Sequence, residues 1–183
     1  MSVTAGTSTS QRLAVPRLGR GARRAVLTTH IVAAGAWIGI DVVLGVLVFT
    51  AVFTTSTSTE ALCYQALELF AVWPLLTAGL ATLATGILLP LGSNYGLIKY
   101  WWVAVKLVLN IVLTALVLVA LRPAVSEANT YGEALAAGQP TDAAVSDLIF
   151  PPIVSSLALV AATTLAVFKP WGRIRRPHAE REV

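Results

Sequence analysis

Residues 25–53 read AVLTTHIVAAGAWIGIDVVLGVLVFTAVF, a run without Lys, Arg or Glu that still holds one histidine, His30, and one aspartate, Asp41. A bilayer's hydrocarbon core of about 30 Å is crossed by roughly 20 apolar residues in a helix, so the run is long enough to span a membrane. His30 and Asp41 are eleven residues apart, close to three helical turns, and project from one face together with Ala34 and Trp37. An ionisable group at the centre of a membrane helix costs on the order of 2.5–3.5 kcal/mol, and such groups face a bundle interior or a cavity. Gly35 and Gly39 form a GxxxG on nearly the opposite face. That spacing lets a second helix approach closely, within the bundle or across a homodimer.

Three further apolar runs follow, at about 66–91, 100–121 and 148–168, each near spanning length. The polar stretch 54–60 reads as a turn and helix cap, Pro90 to Gly96 as a turn, and 123–147 as an outer loop. Pro74 is positioned to kink its helix, while Pro151 and Pro152 suit a first helical turn. The fold expected is therefore all-α: a polytopic membrane bundle of four transmembrane helices over 25–172. An unstructured basic tail (1–24) precedes it and a basic tail (173–183) follows it.

Composition agrees. Of 183 residues, 56% are hydrophobic and 12% charged, against about 25% charged in soluble domains, and the mean hydropathy is +0.77. A soluble globular domain and a disordered chain are both excluded. The net charge of +4 lies at the two ends, so no nucleic-acid partner is implied. One cysteine, Cys63, permits no intrachain disulfide. The first apolar run exceeds the h-region of about 7–15 residues in a cleaved signal peptide and reads as a retained span.

Orientation follows from Lys and Arg in the short flanks. Arg12, Arg17, Arg20, Arg23 and Arg24 precede span one, Lys99 falls between spans two and three, and Lys169, Arg173, Arg175, Arg176 and Arg181 follow span four. The first loop has no positive residue, and the third has only Arg122 at its edge. An even number of spans puts both tails on the same side, the cytoplasmic one. Arg exceeds Lys ten to three, with Ala, Val and Leu abundant, which reads as GC-rich bacterial coding and hence a bacterial cytoplasmic membrane. Tyr95, Tyr100, Trp101, Trp102 and Trp171 are placed as an inner aromatic belt, and Phe53, Tyr64, Phe70 and Phe150 as an outer one.

Span three carries a second polar stripe, Trp102, Lys106, Asn110 and Thr114, each four apart. His30 lies six residues past Arg24 and Lys106 seven past Lys99, which puts both roughly 10 Å inside the inner boundary. Asp41 lies on the order of 16 Å further out, so His30 is the expected neighbour of Lys106 and Asn110 if spans one and three pack side by side. The candidate intramembrane polar site is thus His30, Asp41, Lys106 and Asn110. Each also has a structural reading. Lys106 can snorkel to the headgroups, His30 can bond a neighbouring helix, and Asp41 can bond a hydroxyl such as Ser155 or Ser156.

No catalytic or metal site is expected. The other histidine, His178, sits in the tail, so a bis-histidine haem within one chain is ruled out. Copper would favour soft Cys and Met ligands, of which there is one each. No Walker, CxxC, nucleophile-elbow or HExxH motif occurs. No cofactor is implied.

The chain resembles an uncharacterised family of small bacterial four-span integral membrane proteins. The segments that carry the resemblance are Leu27-Thr28-Thr29-His30 with Trp37-Ile38-Gly39, Leu83-Ala84-Thr85-Gly86 with Tyr95-Gly96-Leu97-Ile98, Trp101-Trp102-Val103 with Lys106-Leu107, and Val167-Phe168-Lys169-Pro170-Trp171-Gly172. The resemblance implies the four-helix membrane fold, with His30, Trp37, Trp102 and Lys106 as family features, and it implies no activity. The expected function is a membrane-embedded interaction or accessory protein. The rival is a small proton-coupled transporter or permease component working through Asp41, His30 and Lys106.

Overall fold

A computed structural model describes residues 19–91, 100–139 and 146–168, and its elements are all helices. They are α1 (Arg20–Phe53), α2 (Thr57–Ala71), α3 (Trp73–Leu91), α4 (Trp101–Leu116), α5 (Arg122–Ala136) and α6 (Phe150–Phe168). A π-helical turn (Val117–Leu121) joins α4 to α5, and a 3-10 turn (Ser146–Ile149) leads into α6. Four continuous runs are long and apolar enough to cross a membrane: Arg20–Phe53, Thr57–Leu91, Trp101–Ala136 and Asp147–Phe168. Large apolar side chains cover their outward faces, among them Val32, Leu69, Val119 and Val160.

Several boundaries differ from those expected. α1 starts at Arg20 rather than Ala25, so Arg20 to Arg24 are helical and not part of an unstructured tail. The remaining tail residues, 1–18 and 169–183, lie outside the described residues. The second run begins at Thr57 rather than near 66. Its cap is Ser56, whose Oγ accepts from the Thr59 backbone N–H at 3.4 Å, and Glu60 in the first turn complements the helix dipole. The run breaks at Val72, just before Pro74, which has no N–H to donate to the carbonyl four residues back.

The larger correction concerns 123–147. Its first half is not a loop but α5, continuous with α4. Pro123, which has no N–H to donate to the carbonyl four residues back, lies in the first turn of α5. The chain widens into the π turn just ahead of it, and Arg122 N–H reaches back to Val117 O, five residues earlier. The helix stops at a Schellman-type cap: Gly138 takes φ 68° and Gln139 N–H donates to Ala134 O at 3.0 Å.

α5 packs along α2. Gly132 is the close approach, since a Cβ there would lie 3.0 Å from Ala61 O and 3.1 Å from Tyr64 Cβ. Gln65 Nε2 donates to Gly132 O at 3.2 Å, and Tyr64 and Tyr131 meet edge to face. Tyr64 is therefore buried and does not belong to an outer aromatic belt, whereas Phe53, Phe70 and Phe150 are exposed.

In the remaining bundle α1 packs on α3 and α6, and α4 packs on the same two helices. α1 and α4 therefore stand across the bundle from each other instead of side by side. Trp37 is fully buried between them and α3. Gly79 makes room for it: a Cβ there would fall 2.9 Å from both Trp37 Cζ3 and Thr114 Oγ1. Gly35 and Gly39 have nothing within 4 Å of a built Cβ and lie on the exposed face, so they do not pack helices within the chain.

Candidate functional site

The stripe on α1 turns inward as its periodicity requires, with Trp37 and Asp41 fully buried and His30 half-buried. Its polar members then part company, because His30 and Asp41 line different cavities.

The first cavity, of about 510 Å³, is enclosed by α1, α3, α4 and α6. His30, Lys106, Asn110, Arg23, Trp102, Thr82 and Thr163 contribute its polar lining, and aliphatic side chains such as Ile31, Leu107 and Leu159 form most of the rest. Arg23 and His30 are seven apart on α1, and Lys106 and Asn110 four apart on α4, so each pair shares a helix face. His30 Nδ1 lies 3.1 Å from Thr82 O and 2.9 Å from Thr85 Oγ1. A carbonyl only accepts, so the Nδ1–H donates, which leaves Nε2 as the free ring nitrogen. Thr85 Oγ1 in turn donates to Ala81 O at 2.6 Å. Gly86 lets the ring seat against α3, where a Cβ would come within 3.3 Å of His30 Cε1.

His30, Lys106 and Asn110 thus share one cavity, as their matched depths suggested, but the imidazole is bonded to α3 and not to α4. The diagonal placement of α1 and α4 explains this, since the cavity lies between the two polar stripes. Thr82 and Thr85 are the partners that sequence reasoning missed. Their signal was a Thr pair three apart on α3 beside Gly86.

Among the described residues, the cavity lining contains no Asp or Glu, and no carboxylate pairs with Lys106. Thr82 is buried, and its hydroxyl is one of two buried side-chain polar atoms without a hydrogen-bond partner among the described residues; the other is Trp37 Nε1. Asn110 accepts weakly from Thr114 Oγ1 at 3.4 Å.

The second cavity, of about 520 Å³, has the opposite charge. Asp41, Glu127 and Asp147 line it, with Ser155 from α6. Ser155 Oγ donates to Asp41 Oδ2 at 2.6 Å, so Ser155 is the hydroxyl, of the two considered, that meets the aspartate. Leu113 lines both cavities and is buried, forming a shared apolar wall. No group of three or more His, Cys, Asp or Glu able to hold a metal ion occurs among the described residues.

No family model, curated protein or solved structure matches this chain.

Proposed function

We propose that this is an integral membrane protein, seated in a bacterial cytoplasmic membrane with both chain ends on the cytoplasmic side. It acts as a membrane-embedded binding and accessory protein rather than as a catalyst. Membrane insertion is supported by four spanning-length helices whose outward faces are apolar, since water-soluble monomers rarely carry contiguous apolar surface of that extent. One observation carries the binding role: an inner cavity of about 510 Å³ that combines apolar walls with convergent polar groups from α1, α3 and α4. Its size falls within the roughly 300–1,000 Å³ typical of small-molecule sites. A second copy of the chain is the partner that the open Gly35/Gly39 face would suit.

A second reading, a proton-coupled transporter, is favoured by one feature. Leu113 alone of the Leu, Ile and Val side chains lining the acidic cavity also lines the basic one. A proton path would run from Asp41 past that residue. Reconstituted proteoliposomes loaded with a pH dye decide between the two. The binding reading expects no protein-dependent proton flux under an imposed gradient. Flux that is present in the wild type and lost in Asp41→Asn would replace it with the transporter.

A further inference from the structure

We propose that the inner cavity binds an anionic amphiphile, a molecule with one carboxylate or phosphate head and an apolar tail. The head would sit against Lys106 and Asn110, and the tail along the leucine and isoleucine walls. The inference rests on the binding role argued above and names the chemistry of its ligand.

Charge leads the argument. Arg23 and Lys106 line the cavity, and among the described residues no acidic side chain does. An ammonium in a largely apolar enclosure is costly without a counter-charge. Elsewhere the bundle places carboxylates freely, with three around the second cavity, so their absence here is a local property of the lining. A cation would meet repulsion in this cavity. An anion would supply the missing partner.

Hydrogen-bonding capacity points the same way. The Lys106 ammonium offers three donors and the Asn110 amide two. Donors four residues apart on one face of α4 suit a compact anionic head.

The remaining walls argue for a tail. Residues from Leu27 to Ile38 on α1 and from Leu107 to Leu113 on α4 line the cavity with aliphatic side chains. Leu27 and Ile31 are also substantially exposed on the outer face, so apolar surface runs from the cavity to the outside of the bundle. A small hydrophilic anion would leave that surface unused.

The test uses the full-length protein in detergent micelles, with palmitate brominated near its head as the probe. Bromine quenches nearby tryptophan, and Trp102 lines the cavity. We expect saturable quenching that Trp102→Phe diminishes and that unlabelled palmitate reverses. Hexadecanol, which has the same chain and no charge, should fail to compete. Lys106→Gln should weaken binding by about tenfold or more, the scale of one lost charge-assisted hydrogen bond, while Lys106→Arg retains it. Lys106→Arg also shows that a variant at this position still folds. Acetate and inorganic phosphate separate the sources of the anion. If either competes as well as palmitate, the ligand is a free anion and the amphiphile assignment is overturned. Equal competition by hexadecanol, or binding unchanged in Lys106→Gln, overturns the anionic head. Neither failure touches the proton-flux result, so this proposal can fall while the binding role stands.

Discussion

At the scale of single residues, glycine shows how local geometry decides what a motif does. Gly79 and Gly35 are both helical, yet a methyl group at Gly79 would strike Trp37 and Thr114 at 2.9 Å, while one at Gly35 would meet nothing within 4 Å. The Trp37 ring is fully buried and is a rigid group rather than the far end of a flexible side chain. Gly79→Ala should therefore destabilise the protein by about 1–3 kcal/mol, the usual cost of overpacking, read as a lowered midpoint of thermal unfolding in detergent. In the monomer, Gly35→Ala and Gly39→Ala should leave that midpoint unchanged or raise it slightly, because alanine is the better helix former; a lowered midpoint would mark their face as one that packs a second copy. A Gly79→Ala protein as stable as wild type would mean that the α1–α3 contact is not as close as 2.9 Å implies. The GxxxG pair was visible in the sequence, but its spacing does not say which face a helix turns inward. The close contacts fall at Gly79 and Gly86, seven apart, opposite the His30–Trp37 stripe. Inside a bilayer such small residues matter more than hydrophobicity, because lipid tails are as apolar as leucine and helices associate by close packing.

At the scale of elements, the pairing of α2 with α5 is the part of the fold least legible beforehand. Hydropathy marks membrane-length runs well, and all four appear in the structure. It says little about a helix such as α5, whose sequence carries Arg122, Glu127, Asn129 and Glu133 and resembles a polar loop. The signal was present in a different form. Val125, Ala128 and Gly132 recur at helical spacing and are all buried, and Gly138 supplies a stop. The expected outer loop begins at Pro123, whose place in a first turn becomes apparent only once the π turn ahead of it is known. Gly132 is the keystone of the pair, since its neighbours include the Ala61 backbone carbonyl and not merely the tip of a flexible side chain. Gly132→Ala should loosen α5 from α2 and speed amide hydrogen exchange in both helices, while leaving exchange around His30 unchanged. A uniform change across the protein, or none, would show that the pair is not a separable unit. The candidate site divides in the same way. Matched depth along two parallel spans predicted that His30 and Lys106 would share a space. Rotational order around the bundle, which depth does not encode, placed that space between them.

At the scale of the whole molecule, the cavities and helix pairs fix which chain ends lie together. Arg23 and Ala166 line the inner cavity, as do Pro90 and Trp102, so the start of α1, the end of α3, the start of α4 and the end of α6 share one end of the bundle. Ala61 meets Gly132, and Tyr131 Oη lies 3.4 Å from Glu60 Oε1, so the start of α2 and the end of α5 share the other. α1 alone, at 34 residues and 1.5 Å per residue, extends about 51 Å, well beyond a hydrocarbon core of about 30 Å. In a chain inserted as proposed, the two ends would emerge on opposite sides of the membrane. Arg20, Arg23 and Arg24 cluster at the first end, and positive charge marks the cytoplasmic side. A membrane-impermeant maleimide applied to intact cells should therefore label a cysteine at Thr57 or Ala137, in a chain whose Cys63 has been replaced by Ala. It should reach a cysteine at Arg20 or Val167 only after permeabilisation. The reverse pattern would keep the bundle and invert it in the membrane. Labelling of position 57 without 137, or of 20 without 167, would break the pairing of the ends, and with it the arrangement that brings His30 and Lys106 to a common cavity.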